Sequence, residues 1–334
     1  MTEDTFFVKY LLSGSRSRNI RTAMKQLPLH IKTPLFESMP FRGRTGKSVF
    51  LKMECFQPAA SFKIRGIGLL CQESVLTGIT HLVSSSGGNA GYAVAYAGRK
   101  LGVNVTVIVP ETTPESVQRR IESEGAKVQV HGSVWDEANI YALDLCHKLN
   151  GAYIPPFDHP TIWEGHATMI DELVTQCPKP DVIILSVGGG GLLCGVVEGL
   201  HKNGWPDVPV VAVETEGAAS LSASIAAGKV VKLDKIDTIA GTLGAKQVAE
   251  RAFEWTKSHT IVPVTVTDGA AIKASRMFAD DHRVLVEPAC GAALSVIYDN
   301  SPVIESADSI VVIVCGGIGI SIDKLTQWEQ EITD

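Results

Sequence analysis

The chain lacks the marks of several protein classes. Its 334 residues include seven cysteines (Cys55, Cys71, Cys146, Cys177, Cys194, Cys290 and Cys315), odd in number, scattered, and nowhere in a C-x-x-C pair. Such spacing gives neither a disulfide framework nor a zinc knuckle and fits a reducing compartment. There is no H-E-x-x-H, and His159 and His166 are not spaced as a zinc pair, so the nine histidines read as structural or surface residues. The longest apolar runs, such as 310–315, fall far below the ~18 residues that a membrane span requires. Basic residues are in deficit, 30 Lys+Arg against 36 Asp+Glu for a net charge of −6, which argues against a nucleic-acid partner. Nothing resembling a signal peptide precedes the Asn104-Val105-Thr106 sequon, so it carries little weight. Residues 1–26 hold Lys9, Arg16, Arg18, Arg21 and Lys25, yet Glu3 and Asp4 argue against a presequence. The expectation is a cytoplasmic protein without a membrane.

What is present is a compact composition, 45% hydrophobic and 20% charged, too apolar for disorder. The length predicts roughly two domains. From residue 80 onward short β-branched runs alternate with helical stretches. Strands at 81–84, 105–109 and 127–130 precede helices at 89–101, 114–124 and 134–149. After the Tyr153-Ile154-Pro155-Pro156 break, strands at 181–187, 208–214, 260–267 and 310–315 each lead to a helix. This alternation predicts an α/β protein with two doubly wound, mostly parallel sheets.

Gly188-Gly189-Gly190-Gly191-Leu192-Leu193 stands between the strand ending at Val187 and a helix beginning at Leu192. A run of four is expected by chance roughly 0.02 times in a chain of this glycine content. Glycines there let backbone N–H groups wrap an anion at the helix N-terminus; a tight turn alone needs one or two. The Walker lysine is missing, and Leu193 replaces the third glycine of the dinucleotide fingerprint. Gly43-Arg44-Thr45-Gly46-Lys47-Ser48 also fails as a Walker loop, since Phe41 occupies the first glycine position. A phosphate that is not part of a nucleotide is the favoured reading, with a plain strand-to-helix turn as the alternative.

Ser84-Ser85-Ser86-Gly87-Gly88-Asn89-Ala90-Gly91 again ends a strand and opens a helix. Its hydroxyls, N–H groups and amide suit a carboxylate or a phenolic oxygen, although Ser86 or Asn89 could equally be an ordinary cap. In Ser61-Phe62-Lys63-Ile64-Arg65-Gly66, apolar neighbours and a nearby guanidinium would favour the neutral amine of Lys63. Most lysines are solvated surface charges. Beside a phosphate cradle and a carboxylate cradle, this one points to pyridoxal phosphate.

With these motifs stand Pro58-Ala59-Ala60, Leu29-His30-Ile31-Lys32-Thr33-Pro34, Tyr153-Ile154-Pro155-Pro156-Phe157-Asp158, Trp163-Glu164-Gly165-His166, Val286-Glu287-Pro288-Ala289-Cys290-Gly291-Ala292-Ala293 and Cys315-Gly316-Gly317. In this order, over about residues 27–331, the chain resembles the pyridoxal-phosphate serine/threonine dehydratase family. That family has fold type II, the fold of the tryptophan synthase β chain. The match is nearest to animal-type L-serine dehydratase/L-threonine deaminase and its serine-dehydratase-like relatives.

The resemblance implies roles. Lys63 carries the cofactor and, once freed by substrate, removes the Cα proton; Phe62 packs on one face of the ring. Gly188, Gly189, Gly190, Gly191 and Leu192 donate N–H groups to the cofactor phosphate. Asn89 bonds the ring hydroxyl oxygen, and Ser86, Asn89 and Ala90 hold the substrate carboxylate. Cys315 faces the pyridine nitrogen as a weak neutral donor; without the motif it would read as a buried apolar filler. Glu214, the Ala218 carbonyl and Ser220 hold a monovalent cation, K+, in line with hard oxygen ligands, unless Glu214 is a solvated loop carboxylate. Glu287, before Pro288, reads as a helix N-terminal cap.

The activity implied is β-elimination of water from L-serine or L-threonine, giving pyruvate or 2-oxobutanoate and ammonia, with a place in amino-acid metabolism and gluconeogenesis. Two alternatives remain: serine racemase, with Ser86 as the second acid/base, and a weakly active amino-acid-binding relative. The resemblance also implies a homodimer, with a small domain at 54–157 inserted into a large one formed by 27–53 and 158–331; residues 1–26 fall outside. Gly87 stands where the family varies between alanine and glycine, and its missing methyl is expected to enlarge the space beside the carboxylate loop.

Overall fold

The computed structural model describes residues 27–333, and the basic N-terminal stretch 1–26 lies outside the described residues. The chain divides into two compact units, one of residues 27–31 and 63–156, the other of residues 32–62 and 157–333.

The larger unit opens with β1 (Leu35–Glu37), α1 (Met39–Thr45) and β2 (Ser48–Lys52). The chain then builds the smaller unit: α2 (Lys63–Leu76), β3 (His81–Ser84), α3 (Asn89–Leu101), β4 (Asn104–Val109), α4 (Glu115–Ser123), β5 (Lys127–Val130), α5 (Trp135–Lys148) and β6 (Ala152–Tyr153). It returns to the larger unit with α6 (Pro160–Leu173), β7 (Val182–Ser186), α7 (Gly191–Lys202), β8 (Val210–Thr215), α8 (Ser220–Ala227) and α9 (Glu250–Trp255). Then come β9 (Ile261–Val266), α10 (Asp268–His282), α11 (Pro288–Tyr298), β10 (Ser309–Ile313) and α12 (Ile322–Thr333).

In the smaller unit a four-stranded sheet runs β5-β4-β3-β6, every pair parallel. In the larger unit six strands run β1-β2-β10-β7-β8-β9, parallel except where β1 meets β2. Every residue of β7 and β8 is buried, as expected for parallel strands covered by helices on both faces. The expected strands at 81–84 and 127–130 and the helix at 89–101 fall on the observed residues. The strand expected at 208–214 begins at Val210, because Pro209 has no N–H to give a ladder.

The segment 54–62, placed by the resemblance in the inserted domain, is bonded to the end of β10 instead. Cys55 N donates to Val314 O at 2.9 Å, Phe62 N to Cys315 O at 3.3 Å and Gly317 N to Ala60 O at 2.8 Å, and Ser61 bridges Gly316.

Candidate active site

In the smaller unit, Lys63 is the first residue of α2 and is partly buried. Its Nζ donates to the Pro156 carbonyl oxygen at 2.7 Å, so the amine is directed at protein. Arg65, two residues on, is fully buried. Asn89 is the first residue of α3, and α3 packs against α2. Two helix N-termini, where the macrodipole favours anions, therefore carry the expected Schiff-base lysine and the expected carboxylate loop.

That loop leaves β3 at Ser84. The Ser86 Oγ accepts from Gly88 N at 3.3 Å. A β-carbon on Gly91 would lie 1.9 Å from the Ser86 carbonyl oxygen, so only glycine lets the loop fold back on the helix it opens. Beneath it, Ser85 Oγ and Tyr153 Oη both donate to Asn139 Oδ1, at 2.8 and 2.5 Å, and lie 2.9 Å from one another. Burial pushes the Tyr153 phenol up, keeping it a neutral donor. Asn139 carries no motif, and sequence reasoning missed this support.

Gly87 corrects an expectation. A β-carbon there would meet Thr113 Oγ1 at 2.6 Å and Cγ2 at 2.8 Å. The missing methyl leaves no enlarged space; a threonine fills it.

In the larger unit the four glycines join β7 to α7, with Gly190 as N-cap at φ +87°. Each is held by a close approach. A β-carbon would meet Leu243 Cα at 3.0 Å from Gly188, the Phe157 ring at 2.5 Å from Gly189, Ala252 Cβ at 2.6 Å from Gly190 and Phe157 O at 2.8 Å from Gly191. The first N–H groups of α7 have no partner within the helix, which gives a backbone cradle for an anion. Leu192 is buried just inside it.

Cys315 follows β10 and is buried. Hydrogen bonding with Cys290 and burial hold its thiol well above the ordinary value, so it is protonated. Glu287 occupies the N-cap position of α11 but makes no side-chain cap bond. Its carboxylate accepts from Gly319 N at 2.5 Å and Thr242 Oγ1 at 2.9 Å, bracing the turn after Cys315. The expected cap is a turn brace.

Glu214, near the end of β8, is buried and not a solvated loop carboxylate. Its Oε1 accepts from Leu221 N at 2.7 Å, and its Oε2 from Ser222 N at 2.8 Å and Ser222 Oγ at 2.7 Å. Burial outweighs these bonds and raises the carboxyl pKa. Among the described residues, the buried Ser220 Oγ and Thr215 Oγ1 make no hydrogen bond. Ala218 is buried in the turn between them.

Residues 27–316 match the family described as pyridoxal-phosphate dependent enzyme. The chain belongs to that family. Among its relatives, a human protein named serine dehydratase-like is 50% identical, over 90% of this chain and 94% of its own. Human L-serine dehydratase/L-threonine deaminase is 49% identical, over 91% of this chain and 96% of its own. A fungal L-serine ammonia-lyase from Rhizomucor miehei superposes with a TM-score of 0.87 at 40% identity, covering 91% of this chain and 99% of that one. Maize serine racemase gives 0.83 at 26% identity, covering 95% and 96%.

The residues suit the family's cofactor. A lysine amine at a helix start, a polyglycine anion cradle and a protonated thiol match an aldehyde, a phosphate and a pyridine nitrogen in turn. Among the described residues, no group of three His, Cys, Asp or Glu could hold a metal ion, and no helix is long and apolar enough to cross a membrane.

Proposed function

We propose that the chain is a pyridoxal-phosphate-dependent ammonia-lyase. It converts L-serine to pyruvate and ammonia, and L-threonine to 2-oxobutanoate and ammonia, by loss of the β-hydroxyl as water followed by hydrolysis of the released enamino acid, which restores that water. The observation that carries this reading is the glycine cradle at 188–191: four consecutive positions closed to a β-carbon, at a helix N-terminus that favours a phosphate. Bound pyridoxal phosphate supplies the electron sink that makes the substrate Cα–H acidic.

The protein's residues supply the rest. Lys63 Nζ would hold the cofactor aldehyde and would serve as the base that takes the Cα proton of the bound substrate. The backbone N–H groups of Gly188, Gly189, Gly190, Gly191 and Leu192 hold the phosphate, and Phe62 packs on the ring. Ser86 Oγ, the Asn89 amide and Ala90 N hold the substrate carboxylate, and Asn89 also bonds the ring hydroxyl. Cys315 Sγ faces the ring nitrogen. A thiol this hard to ionise is a weak donor and would leave that nitrogen largely unprotonated. Glu214, the Ala218 carbonyl and Ser220 hold K+. A cytoplasmic homodimer acting in amino-acid metabolism and gluconeogenesis completes the proposal.

The test is a Lys63→Ala variant of the full chain, expected to lose the visible cofactor band and keto-acid release together. Full turnover by this variant overturns the reading. Chiral analysis of the remaining serine separates elimination from racemisation.

A further inference from the structure

We infer that His166 is a positioning residue: it fixes the plane of the Phe62 ring and so the seat of the cofactor ring that Phe62 is proposed to carry. The inference rests on the cofactor assignment above and concerns how the chain holds that group.

Phe62 has little backbone freedom. Its N–H donates to Cys315 O at 3.3 Å, and Ser61 is bridged to Gly316. The ring's orientation is left to its side-chain contacts, since Phe62 packs against the core of the larger unit. The His166 ring meets it edge to face, with centroids 4.9 Å apart and planes at 62°, an arrangement that aromatic quadrupoles favour.

His166 itself has nowhere to go. It is fully buried on α6, and α6 packs on α7 along glycines spaced four residues apart. A β-carbon on Gly195 would lie 2.3 Å from His166 Cβ, and one on Gly199 would lie 2.7 Å from Ile170 Cγ1. Residues four apart share a helix face, so the two backbones approach along one stripe, and α6 cannot slide without losing that contact. The N-terminus of the same α7 is the glycine cradle. One packed pair of helices therefore carries both the proposed phosphate grip and the ring that orients Phe62. The histidine couples the two.

The test is a double-mutant cycle on the full chain, read as affinity for pyridoxal phosphate and as visible circular dichroism of the bound cofactor. His166→Leu keeps apolar bulk and removes the ring. It is expected to weaken cofactor binding about three- to tenfold, the range of one aromatic pair, and to reduce the dichroic band. In a Phe62→Leu background the same substitution should change affinity less than twofold, because its effect runs through Phe62. Equal losses in both backgrounds, or wild-type affinity and dichroism in His166→Leu, overturn the inference. His166→Asn repeats the cycle if the leucine variant does not fold; failure of both to fold assigns His166 to core packing alone and also overturns it. Wild-type release of keto acid from L-serine reads the proposed function separately, so either claim can fail without the other.

Discussion

Thr113 stands where a β-carbon on residue 87 would be, its Oγ1 2.6 Å and its Cγ2 2.8 Å from that point. Threonine is short and branched and cannot swing aside as a lysine would. Gly87→Ala should therefore overpack the loop, at a cost of about 1–3 kcal/mol, read as a lower Tm and a raised KM for L-serine. Thr113→Ala leaves only its own Cβ, 3.3 Å from the same point, so Gly87→Ala should be nearly neutral in that background. Equal Tm for Gly87→Ala and wild type would show that the turn carrying Thr113 moves freely.

Lys52 is a buried cation held by several polar partners. Its Nζ donates to Glu172 Oε2 at 2.5 Å, Gln176 Oε1 at 2.9 Å and Thr33 O at 2.9 Å, and its side chain is fully out of water. Removing the carboxylate takes a charge partner from a buried cation, so Glu172→Leu should cost about 3–5 kcal/mol. Lys52→Met with Glu172→Leu removes both charges and should recover part of that loss. Urea unfolding of the two variants checks the order, which fails if the double variant is the less stable.

His282 is expected to make the larger unit sensitive to acid. Its Nε2 lies 2.8 Å from Ser38 Oγ, and its ring stacks on Phe278 at 4.3 Å. Burial lowers its pKa from 6.5; His259 shifts the same way, through burial and then the charge of His201. Between the folded and unfolded values the unfolded chain binds more protons, so stability rises with pH there. The contribution is complete above about 6.5 and is lost as pH falls through the folded values. Tm measured from pH 8 to pH 5 should fall on the acid side, and less steeply in His282→Gln. An identical slope in that variant would remove His282 from the account.

The parts of the site that were legible in sequence are those whose chemistry is local. A polyglycine turn, a lysine beside a phenylalanine and a serine-glycine-asparagine run each identify themselves by neighbours in the chain. The supports were not legible, because each depends on a long-range contact. Asn139 meets Ser85 across 54 positions, and Glu287 meets Gly319 across 32. Gly87 shows the limit most plainly, since the volume left by a missing methyl depends on a residue 26 positions away. The same holds for the seating of α6, whose start is marked locally by Pro160 after the His159 cap. It is seated by α7 glycines at a spacing that also reads as an ordinary helix face.

Glu214 provides a direct reading of the proposed cation. Its carboxyl pKa is raised by burial despite the three hydrogen bonds it accepts, so in the bare chain folding favours its protonated form. That stabilisation is lost as pH rises through the folded pKa. A monovalent cation held beside the carboxylate, with Ser220 Oγ as a further oxygen, reverses the balance by supplying the missing charge. Potassium at 100 times its Kd would then add about 2.7 kcal/mol. Tm at pH 8 should be higher in KCl than in tetramethylammonium chloride of equal ionic strength, because the larger ion cannot replace a hydration shell with close protein oxygens. The difference should shrink toward acid pH, where the carboxyl takes a proton, and vanish in Glu214→Gln, which keeps an oxygen but no charge. Equal Tm in the two salts for the wild type would leave the orphaned Ser220 and Thr215 hydroxyls without a cation to serve.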